Sequence, residues 1–188
     1  MKILGISGTN GAGKDSVGEY LAANHGWFFV SVTDILRDEL KRQGLPPDRH
    51  HTQELSSGWR RQHGMGVMVD KGVAVYKSQG KEYEGLAIAS LRHPGEADAV
   101  QALGGQVIWI DADPKIRYQR VISTNRGRID DQKTYAEFLT EEKQQMSHSG
   151  DEATLSMEGV KAKADIFLQN NGDDIDKFHK ALEQALGL

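Results

Sequence analysis

The chain has 188 residues, 38% of them hydrophobic and 27% charged, with a formal net charge of −4. That length suits one domain, residues 1–188, with a full core, and the acidic balance excludes a general polyanion-binding surface. Without cysteine there are no disulfides, thiolate metal sites or cysteine nucleophile, which fits a cytoplasmic setting; no run is apolar enough to span a membrane and no signal-peptide pattern opens the chain.

Lys2 to Ser7 reads as a strand that is apolar on both faces, as a central parallel strand is. A glycine-rich loop follows, and Lys14 to His25 reads as a helix with Val17, Tyr20 and Leu21 on one face. Trp27 to Val32, aromatic and β-branched, reads as the second strand. Thr33 is expected to cap a helix that runs through Arg42 to Gly44, placing Asp34 and Arg37 in its first turn at the carboxyl end of that strand. In an open α/β sheet this edge faces the ligand.

Leu45-Pro46-Pro47 breaks the chain. Asp48 to His63 reads as a polar helix carrying Arg49, Arg60 and Arg61; Gly64-Met65-Gly66 is a hinge, and Val67 to Ser78 is a second helix. With no evident strand in it, the segment 45–80 is expected to form a helical flap over the site. His50, His51 and His63 lack the spacing of a helical metal site and read as surface histidines.

Leu86 to Ser90 is the third strand, with Arg92 just beyond its carboxyl end, and Pro94 opens a helix with Glu96 in its first turn. Gln106 to Ala112 is the fourth strand. Asp113 and Pro114 start a helix that carries Arg117 and Arg120 and leads to Arg126-Gly127-Arg128, the basic part of a lid region over 117–131. Tyr135 to Met146 is helical, with Phe138 and Leu139 expected to pack it down, and Thr154 to Lys163 is a shorter helix. Ala164 to Asn170 is the fifth strand, and Asp173 to Leu186 the last helix. Apolar strands alternating with helices predict an α/β fold: a five-stranded parallel sheet with helices on both faces.

The chemistry sits in Gly8-Thr9-Asn10-Gly11-Ala12-Gly13-Lys14-Asp15-Ser16. Strand, glycine-rich loop, lysine and helix come in the order a phosphate cradle needs. Glycines let the backbone approach an anion, the helix N-terminus points at it, and Lys14 reaches the outer phosphates of a nucleotide. The residue after the lysine in such loops is a hydroxyl residue that meets Mg²⁺; here it is Asp15, itself a hard oxygen ligand, followed by Ser16. Arg37 and Arg92 at neighbouring strand ends are candidates to grip a small-molecule phosphate acceptor. Arg117, Arg120, Arg126 and Arg128 are candidates to close on the transferring group, and Asp34 to orient or deprotonate an acceptor hydroxyl.

The loop Gly8–Lys14, Thr33-Asp34-Ile35-Leu36-Arg37, Leu91-Arg92-His93-Pro94, Arg126-Gly127-Arg128-Ile129-Asp130-Asp131 and Ala164-Asp165-Ile166…Asn170 together resemble the P-loop nucleoside monophosphate kinase superfamily, nearest its archaeal adenylate-kinase-like and dephospho-coenzyme A kinase-like members. The resemblance implies a three-layer P-loop fold, ATP and Mg²⁺ as cofactors, and transfer of the γ-phosphate to a ribo- or deoxynucleoside monophosphate. It implies Lys14, Arg126 and Arg128 as catalytic groups, Arg37 and Arg92 on the acceptor phosphate, and Asn170 and Gly172 near the donor base. Two alternatives stay open: phosphorylation of a hydroxyl, as in a dephospho-coenzyme A kinase, and a nucleotide-binding switch or slow ATPase. The chain departs from the pattern at Asp15 and at the end of the third strand, where Ala89 and Ser90 stand in place of an acid. Direct nucleic-acid binding is disfavoured by the dispersed arginines. The acceptor and the oligomeric state are not legible.

Overall fold

A computed structural model of the chain describes residues 2–123, 133–147, 150–172 and 174–188. Its strands are β1 (Lys2–Gly8), β2 (Phe28–Ser31), β3 (Gly85–Ala89), β4 (Gln106–Asp111) and β5 (Ile166–Gln169). They form one sheet in the order β2-β3-β1-β4-β5, and every pairing is parallel. The helices are α1 (Lys14–Asn24), α2 (Val32–Arg42), α3 (Arg49–His63), α4 (Val67–Ser78), α5 (Pro94–Ala102), α6 (Pro114–Ser123), α7 (Tyr135–Met146), α8 (Met157–Ala162) and α9 (Ile175–Leu186). None of them is long and apolar enough to cross a membrane.

The two-faced burial of the strands is what builds the layers. Ile3 of β1 with Leu86 and Ile88 of β3 packs into one core, completed by Val67 and Met68 of α4, Val100 of α5 and Val160 of α8. Leu4 and Ile6 with Ala87 and Ala89 face the other core, completed by Val17 and Leu21 of α1 and Phe178 and Leu182 of α9. Alternate side chains of each strand thus feed opposite helix layers, the period-two pattern of a sheet covered on both faces. The α/β architecture expected from the sequence is the architecture observed. A polar tie links the two helices of the second layer: Tyr20 Oη donates to Glu183 Oε1 at 2.6 Å, and His25 Nε2 lies 2.9 Å from the same oxygen.

Some boundaries differ from the expectation for physical reasons. α2 begins at Val32 directly from β2, with Ser31 at the capping position, so Thr33 lies inside the helix rather than capping it. Burial of Val32, Leu36 and Leu40 along one face sets the helix phase and overrides the capping preference of the threonine. Phe138 is buried but Leu139 is exposed, one position off the packed face of α7. The segment 45–80 divides in two: α4 sends buried residues into the core, while α3 packs over its edge through the partly buried Leu55 and Trp59, beside α2 and α4.

Candidate phosphate-binding site

Three strand ends hold the glycine loop. β1 ends at Gly8, whose backbone adopts φ +145°; a Cβ there would stand 2.0 Å from the carbonyl oxygen of Ile110 on β4, so only glycine fits. Thr9 N donates to the same oxygen at 3.2 Å, and the Thr9 hydroxyl donates to Asp111 Oδ1 at 2.6 Å. From beyond β5, Asn170 Nδ2 donates to Ala12 O at 2.9 Å, and Gly13 turns through φ +99° where a Cβ would meet that amide nitrogen at 2.8 Å. The loop is fixed on both sides before any ligand arrives.

Lys14 opens α1 and its Nζ donates to Thr9 O at 2.6 Å. Burial, seconded by the nearby guanidinium of Arg92, pulls its pKa down from 10.5 to about 7, with Arg117 adding to the fall while Asp15 and Glu142 oppose it. Arg117 comes from α6 and is 2% exposed. It donates to Ala112 O at 2.8 Å and Asn10 O at 3.3 Å, and forks onto the carboxylate of Glu142. Arg92 follows β3, and its Nη1 donates to Gln145 Oε1 at 2.9 Å. Burial, then the neighbouring Arg49, lowers its pKa as well. Such a depressed lysine predicts proton uptake on anion binding. A bound phosphate restores the charged form, so titration of ATP at pH 8 is expected to take up nearly one proton. Calorimetry in buffers of different ionisation enthalpy measures it, and Lys14→Met should abolish it.

Two cavities meet at α7. The first lies over the loop between Gly8, Asn10, Lys14 and Arg92 on one side and Phe138 and Glu142 on the other. The second, about 640 Å³, lies between α3 and α7. Glu141 and Gln145 line both. Glu141 Oε2 accepts from Arg49 Nη1 at 2.6 Å and from Lys133 Nζ. One face of α7 therefore sets Glu141, Glu142 and Gln145 against Arg49, Arg117 and Arg92.

Beneath Arg92 lies a buried ion pair. Glu96 Oε1 accepts from Arg60 Nε at 3.1 Å and Nη2 at 2.7 Å, with the two side chains 0% and 2% exposed. Its other oxygen accepts from Arg92 N at 2.7 Å and His93 N at 3.2 Å. Ser90, at the end of β3, holds the one left-handed non-glycine backbone among the described residues, φ +67°.

The other residues singled out in the sequence fall as follows. Gly8, Asn10, Gly11, Ala12, Gly13 and Lys14 form the loop around the first cavity. Asp15 is half-buried in the first turn of α1, and Ser16 is exposed. Asn170 anchors the loop, and Arg120 donates to Asn170 O at 2.8 Å and Gly172 O at 3.1 Å, joining α6 to that turn. Asp34 and Arg37 lie 3.5 Å apart along α2; Asp34 is 66% exposed, and neither lines the two cavities. Arg126 and Arg128 lie outside the described residues. The sequence reading missed Glu141, Glu142 and Gln145. Their signal was the helical spacing from the buried Phe138, which places all of them near one face.

The loop suits a nucleotide's phosphates: side-chain-free turns at Gly8 and Gly13, a lysine at the helix start and two arginines beside it. Among the described residues no cluster of three His, Cys, Asp or Glu side chains could hold a metal ion alone. Mg²⁺ needs no such cage where substrate phosphates supply most of its ligands, and Asp15 is the carboxylate next to the lysine.

No family model matches the chain. It is similar to the UPF0200 proteins. One from Methanothermobacter thermautotrophicus is 29% identical across 99% of this chain and 90% of the relative; one from Pyrobaculum aerophilum is 27% identical across 100% and 95%. Among solved structures, a shikimate kinase from Bacteroides thetaiotaomicron superposes with a TM-score of 0.58 at 13% identity, over 99% of this chain and 98% of that one. A shikimate kinase from Acinetobacter baumannii in complex with shikimate superposes with a TM-score of 0.54 at 16% identity, over 99% and 93%. The fold is thus a shikimate-kinase-like P-loop fold, with the strand order β2-β3-β1-β4-β5.

Proposed function

We propose that the chain is an ATP-dependent phosphotransferase that moves the γ-phosphoryl group of ATP onto a small molecule held in the cavity between α3 and α7. The observation that carries this reading is the junction of the two cavities: the lysine-and-arginine end of the loop opens towards a second cavity that shares Glu141 and Gln145 with it. A donor site and an acceptor site must meet at the transferring phosphorus, because phosphoryl transfer is largely positioning and charge neutralisation.

In this reading the loop backbone and Lys14 hold the β- and γ-phosphates, and Arg92 and Arg117 neutralise charge on the oxygens of the transferring group. Asp15, beside Lys14 at the start of α1, is the residue that would hold Mg²⁺ together with the phosphates, and the ion would supply screening of their charge. The bond from phosphorus to the β–γ bridging oxygen breaks, ADP leaves, and a new bond forms to the acceptor oxygen; a hydroxyl acceptor also gives up its proton to solvent water. Arg120 and the turn at Asn170 and Gly172 lie on the side of the loop where the resemblance to nucleoside monophosphate kinases puts the donor base. That resemblance names a nucleoside monophosphate as acceptor, whereas the shikimate kinases act as kinases of the same fold on a hydroxylated acid.

The test is ADP formation from ATP and Mg²⁺ with and without a panel of acceptors: nucleoside monophosphates, dephospho-coenzyme A, sugar phosphates and hydroxy acids. Acceptor-stimulated ADP release supports the reading. A rate indifferent to every acceptor overturns it in favour of a slow ATPase or switch. In the same assay Asp34→Asn is expected to change the rate less than about threefold, since its carboxylate sits exposed beside Arg37 and away from both cavities. A loss of several orders of magnitude would instead return Asp34 to the role of general base.

A further inference from the structure

We propose that the cavity between α3 and α7 takes a small hydroxylated molecule bearing one anionic group, a phosphate or a carboxylate, and that this group displaces the Glu141 carboxylate from Arg49 and Lys133. The inference deepens the phosphotransferase reading and rests on it only in calling the ligand an acceptor.

The lining of the cavity is the first argument. Leu155 is its one apolar residue among those described, and the one ring in its lining is the exposed imidazole of His50. Sites that hold a nucleobase offer its flat face an aromatic or apolar platform. This cavity offers hydroxyls and amides instead, among them Ser56, Ser57, Thr154 and Gln144. The Ser56 and Ser57 hydroxyls give their protons to Gln53 O at 3.0 and 2.8 Å; Ser56 Oγ also accepts from Arg60 Nη1 at 3.4 Å, which leaves the Ser57 oxygen as the more open acceptor for a ligand's O–H group. A hydroxylated body makes fuller use of those hydroxyls and amides than a purine does. At about 640 Å³ the space suits a small metabolite.

The wall is also built rather than incidental. Arg60 lines the cavity while buried to 2% exposure. It is locked by Glu96, and its Nη1 donates to Ala153 O at 3.1 Å, which ties α3 to the chain before α8. The cavity therefore keeps its shape without a ligand.

The position of Glu141 supplies the anionic group. Its Oε2 accepts from Arg49 Nη1 and Lys133 Nζ at the boundary shared by the two cavities. A carboxylate held there marks a place where the field favours an anion. Its side chain is 30% exposed, so it can swing to water and leave the cations to an incoming group of like charge. Arg49 in turn depresses Arg92, and Arg92 depresses Lys14. A line of positive charge thus joins this position to the loop, and a ligand anion at Arg49 sits in the field that holds the donor phosphates.

Calorimetry with the donor site filled by the β,γ-imido analogue of ATP and Mg²⁺ tests this. The probes are ribose 5-phosphate for the phosphate arm, gluconate for the carboxylate arm, and AMP as the nucleotide comparison. At least one of the first two should bind. Arg49→Ala should weaken it tenfold or more, Glu141→Gln should tighten it at least threefold, and AMP should bind no tighter than ribose 5-phosphate. Opposite responses to the two substitutions exclude a mere loss of fold. Failure of both probes to bind, binding indifferent to Arg49→Ala, or AMP binding more than tenfold tighter than ribose 5-phosphate overturns the proposal. The kinase reading is judged separately by ADP formation with the same probes. Arg49-dependent binding of a probe, with ADP release indifferent to every acceptor of the full panel, overturns that reading and leaves the cavity assignment standing; stimulation by AMP alone does the reverse.

Discussion

Lys14→Ala is expected to lower acceptor-dependent ADP formation by about 10²- to 10³-fold, the cost of removing one preorganised cation from a developing phosphoryl charge. The same site should respond with the opposite sign in stability. Folding holds this lysine at a pKa of about 7 against 10.5 in the unfolded chain. Between those values the unfolded chain binds the extra proton, so wild-type stability rises with pH across that window and is lowest at and below its acid end. Lys14→Met removes the penalty. At pH 7 it should raise the melting temperature by a few degrees, each kcal/mol recovered being worth about 2–4 °C in a chain of this size, and it should flatten the rise in stability between pH 7 and 10.5. A lysine kept for structure would lower both activity and melting temperature when removed. The paired measurement, steady-state rate and thermal melt of one variant, separates a group strained for binding from one that holds the fold.

The second large effect belongs to Glu96. Glu96→Ala strands the Arg60 guanidinium in the interior and strips two backbone N–H groups at the start of α5. Breaking a buried pair by removing one partner costs about 3–5 kcal/mol, and loss of the reciprocal cap with His93 adds about 1 kcal/mol. A drop in melting temperature of about 10 °C or more is expected. Urea titration of Glu96→Ala and of the double variant Arg60→Met, Glu96→Leu tests the cause. If the stranded charge dominates, the double variant recovers much of the loss; if the double variant is as unstable as the single one, the cap and the link to Arg92 carry the cost. Activity should fall with stability in the single variant, because the backbone of Arg92 hangs on the same carboxylate.

The sheet was legible because its strands are apolar on both faces and its helices carry their own punctuation: Asp48 caps α3, Pro94 opens α5 and Pro114 opens α6. The loop was legible because Gly8 and Gly13 take backbone conformations that exclude a side chain. What local sequence misjudged was set by tertiary contact. Thr33 looks like a cap until Val32 and Leu36 claim the helix for the core. Arg60 reads as one of several surface arginines of a polar helix until Glu96, 36 positions away in the chain, takes it inside. Asp34 sits in the first turn of α2 as expected, but the helix starts at Val32 and so puts Arg37 in the second turn, and their side chains meet each other rather than the cavities. The carboxylates of α7 drew no attention because Glu in an exposed helix is ordinary; only the arrival of Arg49 and Arg117 from distant segments gives Glu141 and Glu142 meaning.

The place of β1 in the sheet sets an order of events during synthesis. The strand that carries the loop is made first, yet its neighbours begin at Gly85 and Gln106. The loop's own anchor, the Asn170 amide, comes later still. Until Gly85 to Ala89 has been made, Lys2 to Gly8 is an apolar segment without a sheet partner, and the glycines beyond it have nothing to turn against until Ile110 and Asn170 follow. Closing contacts over such separations is slow, so the glycine loop is the last part of the sheet region to be completed although its strand is the first of the five in chain order. Ability to bind a nucleotide would then report that almost the entire polypeptide has reached its final arrangement.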